Sequence, residues 1–531
     1  MSGPMAFLKP FNQWYLRKEK RVLATEMKKT LGLTGVTVNA MALIAPGAFL
    51  WITYQVQVAN TTPGGDSTAT DMWPGIVFAL ILAFLTAISY SELAKIYPEA
   101  GTGSAYYFAE KAFIDKEDTK HHKWARLAKL ATGWAAHLFY WVYPGVMVAF
   151  MATLISYIVQ AFTGVSLSLP VMIVIACLFS FGVGIIAYRG VSGSTTTALL
   201  INVIQLTALA VFAVIAIIYR TSNPDHANFV FSGPSDVMLP HNMMNVLFQA
   251  TIAILILVGF ESCTAFGAEA KNARRDVPRA VLLALVIQGL IAYLFEYFAA
   301  NYALSDKLTG TDATGKAVQG IDAAAASSAP IGDMIIQMVN SLIGGAGFGL
   351  MIVIAITVAL AILGTTLSAM NTGVRITYAM AQDAEMPQPL GLLHLKNATP
   401  HVAVWGMVIV SAVIGAIGSI SVVTLTGITL ASNFGTFVLY ALTCLWTIIA
   451  FAGRPGFNAF KHMIVPILGL LANIAMLLTI LGLGFVGGGD AQTESMMALV
   501  IAAIWLVASV IYILYNSRKT GRSLMGVSAA S

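Results

Sequence analysis

The chain has 531 residues, of which 58% are hydrophobic and only 10% are charged, and its formal net charge is +5. Soluble globular proteins carry roughly 25% charged residues, so this composition excludes a large soluble domain and indicates a polytopic membrane protein. The small positive charge gives no indication of a nucleic-acid partner, because the basic residues follow the membrane topology.

Apolar stretches of about 20 residues are long enough to cross the hydrocarbon core of a bilayer, and the chain contains 12 of them. The predicted spans 1 to 12 lie at 31–55, 73–96, 131–160, 169–188, 195–219, 242–268, 280–303, 334–380, 402–418, 421–451, 462–485 and 495–515. Span 8 is long enough to include a helical extension. The segments between the spans are predicted to be loops, with no separate soluble domain.

The distribution of Lys and Arg orients these spans. If the N-terminal segment 1–30 is cytoplasmic and the chain alternates sides, all of the 29 Lys and Arg except Arg220, Lys307 and Lys316 fall on the cytoplasmic side. The positive-inside rule therefore places both termini, including the tail 516–531, in the cytoplasm. We predict an integral protein of a bacterial inner membrane.

Span 1 contains the sequence Ala45-Pro46-Gly47 near its middle. Pro46 has no amide hydrogen and disfavours the helical conformation of Ala45, and Gly47 permits conformations that other residues resist. An interruption here frees carbonyls that suit an ammonium or Na⁺ and amides that suit a carboxylate. The alternative is an ordinary proline kink.

Span 6 contains Gly259-Phe260-Glu261-Ser262, with a carboxylate at membrane depth. Such a group is a functional candidate by default; the alternative is a structural Glu bonded to a neighbouring helix. Interrupted helices at matching positions in two halves are typical of inverted-repeat transporters. The repeats would be 31–219 and 242–451, with spans 11 and 12 (462–515) at the periphery.

Four further polar side chains are candidates for ion coupling. Glu296 in span 7 is a second carboxylate at membrane depth and could carry a proton. Thr365, Thr366 and Ser368 in span 8 could help coordinate Na⁺ beside carbonyls of span 1. The alternative is that these hydroxyls bond to the backbone of their own helix.

Several motifs follow one another along nearly the whole chain. They are LGLTG followed by IAPGAF (44–49), YSELAKIYPEAGTGSAYYF (90–108), YRGV (188–191), GFES with EAKNARRDVPRA (259–280) and SAMNTGVRITYAMAQDAEMP (368–387). In these motifs the chain resembles the amino acid–polyamine–organocation permease family. The resemblance implies an all-α integral membrane protein of the LeuT type, with a 5+5 inverted repeat and two peripheral C-terminal helices.

The resemblance also implies secondary active transport of amino acids or related small amines by alternating access, with the substrate between the broken spans 1 and 6. The implied substrate-binding positions are Ile44, Ala45, Pro46, Gly47, Ala48, Val258, Gly259, Phe260, Glu261 and Ser262, with Tyr140 of span 3 beside them. Pro46 removes one amide donor that the family pattern would supply. Gln205 aligns with a position where some proton-coupled relatives carry a lysine.

Other functions fit the sequence less well. A polyamine or other cationic-amine exchanger, with Glu261 contacting the amine, is the main alternative, and a transporter-like sensor is a distant one. A channel would need a repeated filter segment, and an enzyme would need a catalytic motif such as HExxH or GxSxG. We therefore predict no enzymatic activity and no cofactor, with H⁺ or Na⁺ coupling left open, and expect a small-molecule substrate and the lipid bilayer as partners.

Overall fold

The computed structural model describes residues 29–44, 46–62, 65–116, 118–189, 194–223, 228–312, 314–394, 397 and 399–525. Within these ranges, eleven helices are long and apolar enough to cross a membrane. They correspond to spans 2 to 12, and the described residues of span 1 are helical on both sides of Ala45, which lies outside the description. The predicted all-α membrane architecture is therefore confirmed, whereas the boundaries of the two repeats remain a prediction.

The spans follow the predicted order along the chain. Spans 1 to 5 are the helices Leu33–Ile44 with Pro46–Ala59, Met72–Ile96, Ala125–Thr163, Leu169–Arg189 and Ser194–Ser222. Span 6 is Met243–Ala253 followed by the 3₁₀ segments Ile254–Ile256 and Phe260–Phe266, and span 7 is Ala273–Leu285, the π-helical Val286–Tyr293 and Leu294–Ala303. Spans 8 to 12 are Gly347–Gln382, His401–Gly418, Val422–Phe451, Val465–Val486 and Gly489–Thr520.

Short elements connect the spans. The α-helical ones are Ala105–Ile114, Pro234–Met238, Gly320–Ala326 and Pro330–Ile343, and the 3₁₀ ones are Ala69–Asp71, Pro98–Gly103, Thr119–Trp124 and Gln388–Gly391. A π-helical turn, Phe460–Ile464, precedes span 11. Strands β1 (Thr309–Thr311) and β2 (Ala317–Gln319) form an antiparallel pair in the loop after span 7.

The predicted start of span 8 at residue 334 is wrong. The structure places 334–343 in the separate helix Pro330–Ile343, and span 8 begins only at Gly347. Gly344 and Gly345 between them have φ of 66° and 76°. A right-handed helix cannot pass through that conformation, which glycine adopts readily. Composition alone did not separate the two helices because both are apolar.

Span 3 forms the centre of the bundle. It packs against spans 8, 9 and 10 along most of its length and is largely buried. Spans 11 and 12 pack on span 10, and span 12 is the least buried of the spans. A helix that contacts lipid can keep an exposed apolar face, because lipid tails are as apolar as its side chains.

A buried network of ion pairs ties span 3 to the loop after span 8. Arg126 makes two parallel hydrogen bonds to the Glu385 carboxylate, each of 2.8 Å, and both side chains are 1% exposed. Lys129 bonds to Glu110 at 2.7 Å and to Asp383 at 2.5 Å. We call the end of the bundle that carries this network the basic end; that it faces the cytoplasm stays a prediction from the positive-inside rule.

The Arg126–Glu385 pair gives the first testable prediction. Arg126→Gln should lower stability by about 3–5 kcal/mol, because it leaves the Glu385 carboxylate buried without its main partner. The matched control is Lys95→Gln, whose ion pair with Glu92 includes a Lys side chain that is 45% exposed; its loss should cost at most about 1 kcal/mol. Thermal unfolding in detergent would measure both, and equal shifts would contradict the prediction.

Candidate functional site

Span 6 loses its regular helix at Ile254, as the sequence predicted for a broken span. Gly259 lies between the two 3₁₀ segments with φ of 122°, a conformation that glycine tolerates and other residues resist. A Cβ atom on it would lie 2.9 Å from the Leu43 side chain and 3.1 Å from the Ile44 nitrogen. Glycine therefore permits the turn and also lets span 6 approach span 1 closely.

Glu261 lies in the first turn after this break and is 1% exposed. Its Oε1 accepts a hydrogen bond from the Tyr140 hydroxyl at 2.9 Å, and its Oε2 accepts bonds from the Tyr440 hydroxyl at 2.8 Å and the Gly259 amide at 3.0 Å. Within the described ranges, no Lys, Arg or His forms an ion pair with Glu261.

Aromatic side chains surround this carboxylate. The Phe260 ring lies edge-on to Tyr90, with centroids 6.1 Å apart, and tilted against Tyr440 at 5.3 Å. Tyr143, one helical turn after Tyr140 in span 3, is also fully buried. Aromatic faces attract cations. The ring cluster and the carboxylate therefore both favour a positively charged ligand.

Two backbone carbonyls of the implied substrate-binding positions already accept hydrogen bonds. The Ile44 carbonyl accepts a bond of 2.6 Å from the Tyr293 hydroxyl of span 7. The Gly259 carbonyl accepts both the amide and the hydroxyl of Ser262, at 3.0 and 2.6 Å. Val258, the third predicted position, is fully buried beside them.

The predicted interruption of span 1 falls on Ala45, which lies outside the described residues. The backbone of Pro46, Gly47 and Ala48 belongs to the helix Pro46–Ala59, but their surroundings also lie outside the description. Recognition of a carboxylate by amides at this point therefore stays a prediction. The structure does show that span 1 closely approaches span 6 at Leu43 and Ile44, immediately before the predicted interruption.

A cluster of amide side chains lies behind span 1. Gln288 of span 7 donates to the Met41 carbonyl at 3.2 Å and to Asn202 of span 5 at 3.0 Å. Asn202 in turn donates to the Val38 carbonyl at 3.3 Å. Gln205, one turn further along span 5, is 1% exposed, and its Oε1 has no hydrogen-bond partner in the described part of the chain. Neutral amides thus occupy this face of span 1.

The candidate hydroxyls of span 8 divide between the two roles considered for them. Thr365 donates to the Ala42 carbonyl of span 1 at 3.2 Å, as a residue beside a span 1 ion site would. Thr366 donates to the Ile362 carbonyl of its own helix at 2.6 Å, as the alternative predicted. Ser368 is half-buried further along span 8, where its carbonyl accepts a bond from Thr372.

Glu296 lies elsewhere on span 7, apart from the contacts of Glu261. It is 2% exposed, and its Oε2 finds no partner among the residues that the structure describes. The neighbouring Tyr297 packs against Tyr54 of span 1 with ring centroids 5.8 Å apart, and Tyr54 donates to Asn301 at 2.9 Å. A buried carboxylate with an unsatisfied oxygen is costly, which is why it stays a functional candidate.

Spans 1 and 6 are joined at the basic end. The Leu31 amide donates to the Glu269 carbonyl at 3.0 Å, and the Lys271 amide donates to the Leu31 carbonyl at 2.7 Å. Arg375 of span 8 pairs with the Glu269 carboxylate at 2.5 Å, and its guanidinium lies 4.2 Å from the centre of the Phe266 ring. These contacts hold spans 1, 6 and 8 together at the basic end.

The structure thus brings the described candidate substrate residues into one site, whereas none of the coupling candidates hydrogen-bonds to Glu261. Sequence reasoning missed three tyrosines that contact the site: Tyr90, Tyr293 and Tyr440. They lie on spans 2, 7 and 10, and an isolated tyrosine on an apolar helix carries no signal of its partner. Their shared feature, a hydroxyl placed at mid-span, becomes informative only once the helices are packed.

Comparisons with known proteins identify the family of the chain. A family model described as amino acid permease matches residues 29–508. The chain is 22% identical to a branched-chain amino acid permease of Bacillus subtilis, covering 93% of this chain and 94% of that protein. It is 24% identical to a low-affinity putrescine importer of Escherichia coli, covering 92% and 93%, and 26% identical to a branched-chain amino acid permease of Lactococcus lactis, covering 86% and 90%.

Proposed function

The chain belongs to the amino acid permease family, and from this premise we propose that it transports an amino acid or a related small amine across the membrane by alternating access. The substrate would lie where spans 1 and 6 meet, with its ammonium group at Glu261. Relatives named for branched-chain amino acids and for putrescine support this range, since both kinds of molecule carry a protonated amine.

One observation carries the proposal. Glu261 is a buried carboxylate with three hydrogen-bond donors and, in the described ranges, no basic partner. Isolated buried charges are costly, so they are usually paired. A Glu with only a structural role could accept the same three hydrogen bonds, but it would not need a cation beside it. A protonated amine would supply the missing charge, and it would lie close to the Ile44 carbonyl, which accepts a bond from Tyr293.

A simple amine is the second candidate, and one feature favours it. Pro46 has no amide hydrogen at the point where the family pattern would supply a donor for the substrate carboxylate. A substrate without a carboxylate does not need this donor, so its binding would not be weakened by Pro46. The two candidates therefore differ in whether removal of the α-carboxylate weakens recognition.

Uptake by purified protein in proteoliposomes tests both candidates. The panel should pair each amino acid with its decarboxylated amine, for example leucine with isoamylamine and ornithine with putrescine. Faster uptake of the amino acids supports the first candidate, and equal or faster uptake of the amines supports the second. Failure of every amine-bearing compound to compete for uptake would overturn the proposed site.

For coupling, we propose protons rather than Na⁺. Side-chain amides of Asn202 and Gln288 already donate to the carbonyls of Val38 and Met41, which would otherwise be available to a cation. Sodium prefers oxygen ligands, so this face of span 1 suits it less. Proton and sodium gradients imposed separately on the vesicles would decide: acceleration by sodium alone would refute this part of the proposal.

Glu296→Gln gives a prediction specific to proton coupling. A buried carboxylate without a partner can take up and release a proton, whereas an amide cannot. We expect wild-type uptake to rise as the pH outside falls, and uptake by the variant to change less than about twofold over pH 5–8. Glu494→Gln, which removes a buried carboxylate on the peripheral span 12, should keep the wild-type profile. An unaltered pH profile in Glu296→Gln would make Glu296 a structural residue.

A further inference from the structure

A cleft of about 1020 Å³ lies at the basic end of the bundle. Its walls are the helix Ala105–Ile114, the start of span 3 and the end of span 10 with the loop that follows. Tyr140, Tyr440 and Gly259, which hold Glu261, do not line it. Pockets of ~300–1,000 Å³ enclose most of a drug-sized ligand, so this cleft can hold a molecule of its own.

The walls of the cleft are apolar and face lipid. Leu127 and Ala131 lie on the outer face of span 3, where exposed side chains of a spanning helix contact lipid. Ile449 of span 10 forms the facing wall. Phe113 and Trp446 pack edge to face with centroids 5.6 Å apart and form an aromatic layer within the cleft.

The mouth of the cleft carries charges of both signs. Lys116 and Arg454 line it together with Asp115 and Asp118. Lys116 donates to the Ala452 carbonyl at 2.5 Å, which uses one of its three N–H groups. The Arg454 guanidinium is 3.5 Å from Asp115, longer than the ~2.7–2.9 Å of a strong charge-assisted bond. Both cations therefore keep donors for a ligand.

The two cations are also close to each other. Partial burial, and then the positive charge of Arg454, lower the pKa of Lys116 from its usual value. A phosphate placed between them would relieve this repulsion and accept hydrogen bonds from both, as Lys and Arg commonly bind phosphate. Asp118 uses its Oδ1 to accept the Lys120 amide at 2.9 Å and is otherwise exposed, so its other oxygen is available to an amine.

We propose that this cleft is a binding site for one phosphatidylethanolamine molecule of the adjacent leaflet. The phosphate would bind Lys116 and Arg454, the ammonium would bind Asp115 and Asp118, and an acyl chain would follow the apolar wall. A mouth with both signs of charge matches a headgroup with both signs, and basic pockets between spanning helices on this side are known to receive lipid phosphates.

Native mass spectrometry of the purified protein, titrated with single lipids, tests this site. Phosphatidylethanolamine should bind severalfold more tightly than phosphatidylcholine, which has no N–H donor, and than phosphatidylglycerol, which has no ammonium. The double variant Lys116→Gln/Arg454→Gln should weaken binding about tenfold or more. Asp118→Asn should remove the preference for phosphatidylethanolamine over phosphatidylcholine.

Two further variants complete the experiment. Arg518 lies at the basic end of span 12 but outside the cleft, so the variant Arg518→Gln should bind lipid as the wild type does. Ala131→Phe fills the apolar wall without changing charge and should also weaken binding, while size-exclusion profiles confirm that each variant is folded. Equal affinity for the three lipids, a preference for phosphatidylglycerol, or unchanged binding in the double variant would each overturn the proposal.

Discussion

Glu261→Gln is expected to reduce substrate uptake about 10- to 100-fold while the protein remains folded and inserted. The glutamine amide carries no charge to attract an ammonium, and its NH₂ group would face hydroxyls that now donate to a carboxylate. Hydrogen bonds to charged groups contribute ~1.5–3 kcal/mol each, and 1.4 kcal/mol corresponds to a factor of ten. Initial uptake rates and substrate affinity in proteoliposomes would measure the loss.

The control for this variant is Glu494→Gln, which also neutralises a buried carboxylate but lies on the least buried span. It should retain most of the uptake. Tyr440→Phe, which removes one donor and keeps the ring, should have an intermediate effect because two donors to Glu261 remain. Near-normal uptake kinetics in Glu261→Gln would show that the carboxylate is structural and would remove the basis of the proposed substrate site.

Gly259→Ala is expected to abolish uptake and to lower stability by about 2 kcal/mol or more. The residue has φ of 122°, and non-glycine residues held in such conformations cost ~1–3 kcal/mol each. Its Cβ would also lie 2.9 Å from the Leu43 side chain, so spans 1 and 6 would have to separate at the point where we propose that the substrate binds. Thermal unfolding and uptake should therefore both be affected.

Gly482→Ala in span 11 is the matched control, because it adds the same methyl group where no atom lies within 4 Å. Alanine is also the better helix former, so this variant should be neutral or more stable by up to ~1 kcal/mol. If Gly259→Ala unfolded at the same temperature as Gly482→Ala and transported normally, the turn at Gly259 would not be required for function.

Much of the fold could be predicted from the sequence because lipid imposes strong local rules. A spanning segment must be long, apolar and internally hydrogen-bonded, so spans 2 to 12 were visible as apolar stretches. The error at span 8 came from the same rule: the apolar helix Pro330–Ile343 has a spanning composition, and the two glycines that separate it from span 8 are common in membrane helices. Glycine conformation depends on packing, which composition does not record.

The candidate site was only half visible in the sequence. A carboxylate close to a glycine in an apolar span is unusual enough to be recognised from the sequence alone, and Glu261 and Gly259 were recognised in this way. The π-helical segment Val286–Tyr293 was not, although it is the part of span 7 that carries the Gln288 and Tyr293 side chains bonded to span 1. Such segments are set by packing against neighbouring helices rather than by residue type.

The sequence by itself determined that this is a helical membrane protein, which stretches are apolar enough to cross the bilayer, and that Glu261 is a carboxylate within one of them. Only the tertiary structure decided what that carboxylate touches: Tyr140 of span 3 and Tyr440 of span 10 approach Glu261 from 121 and 179 residues away in the chain. The physical reason is that burial in lipid acts on each helix separately, whereas hydrogen bonds between helices depend on rotation and register. Those are fixed only when all the spans pack together.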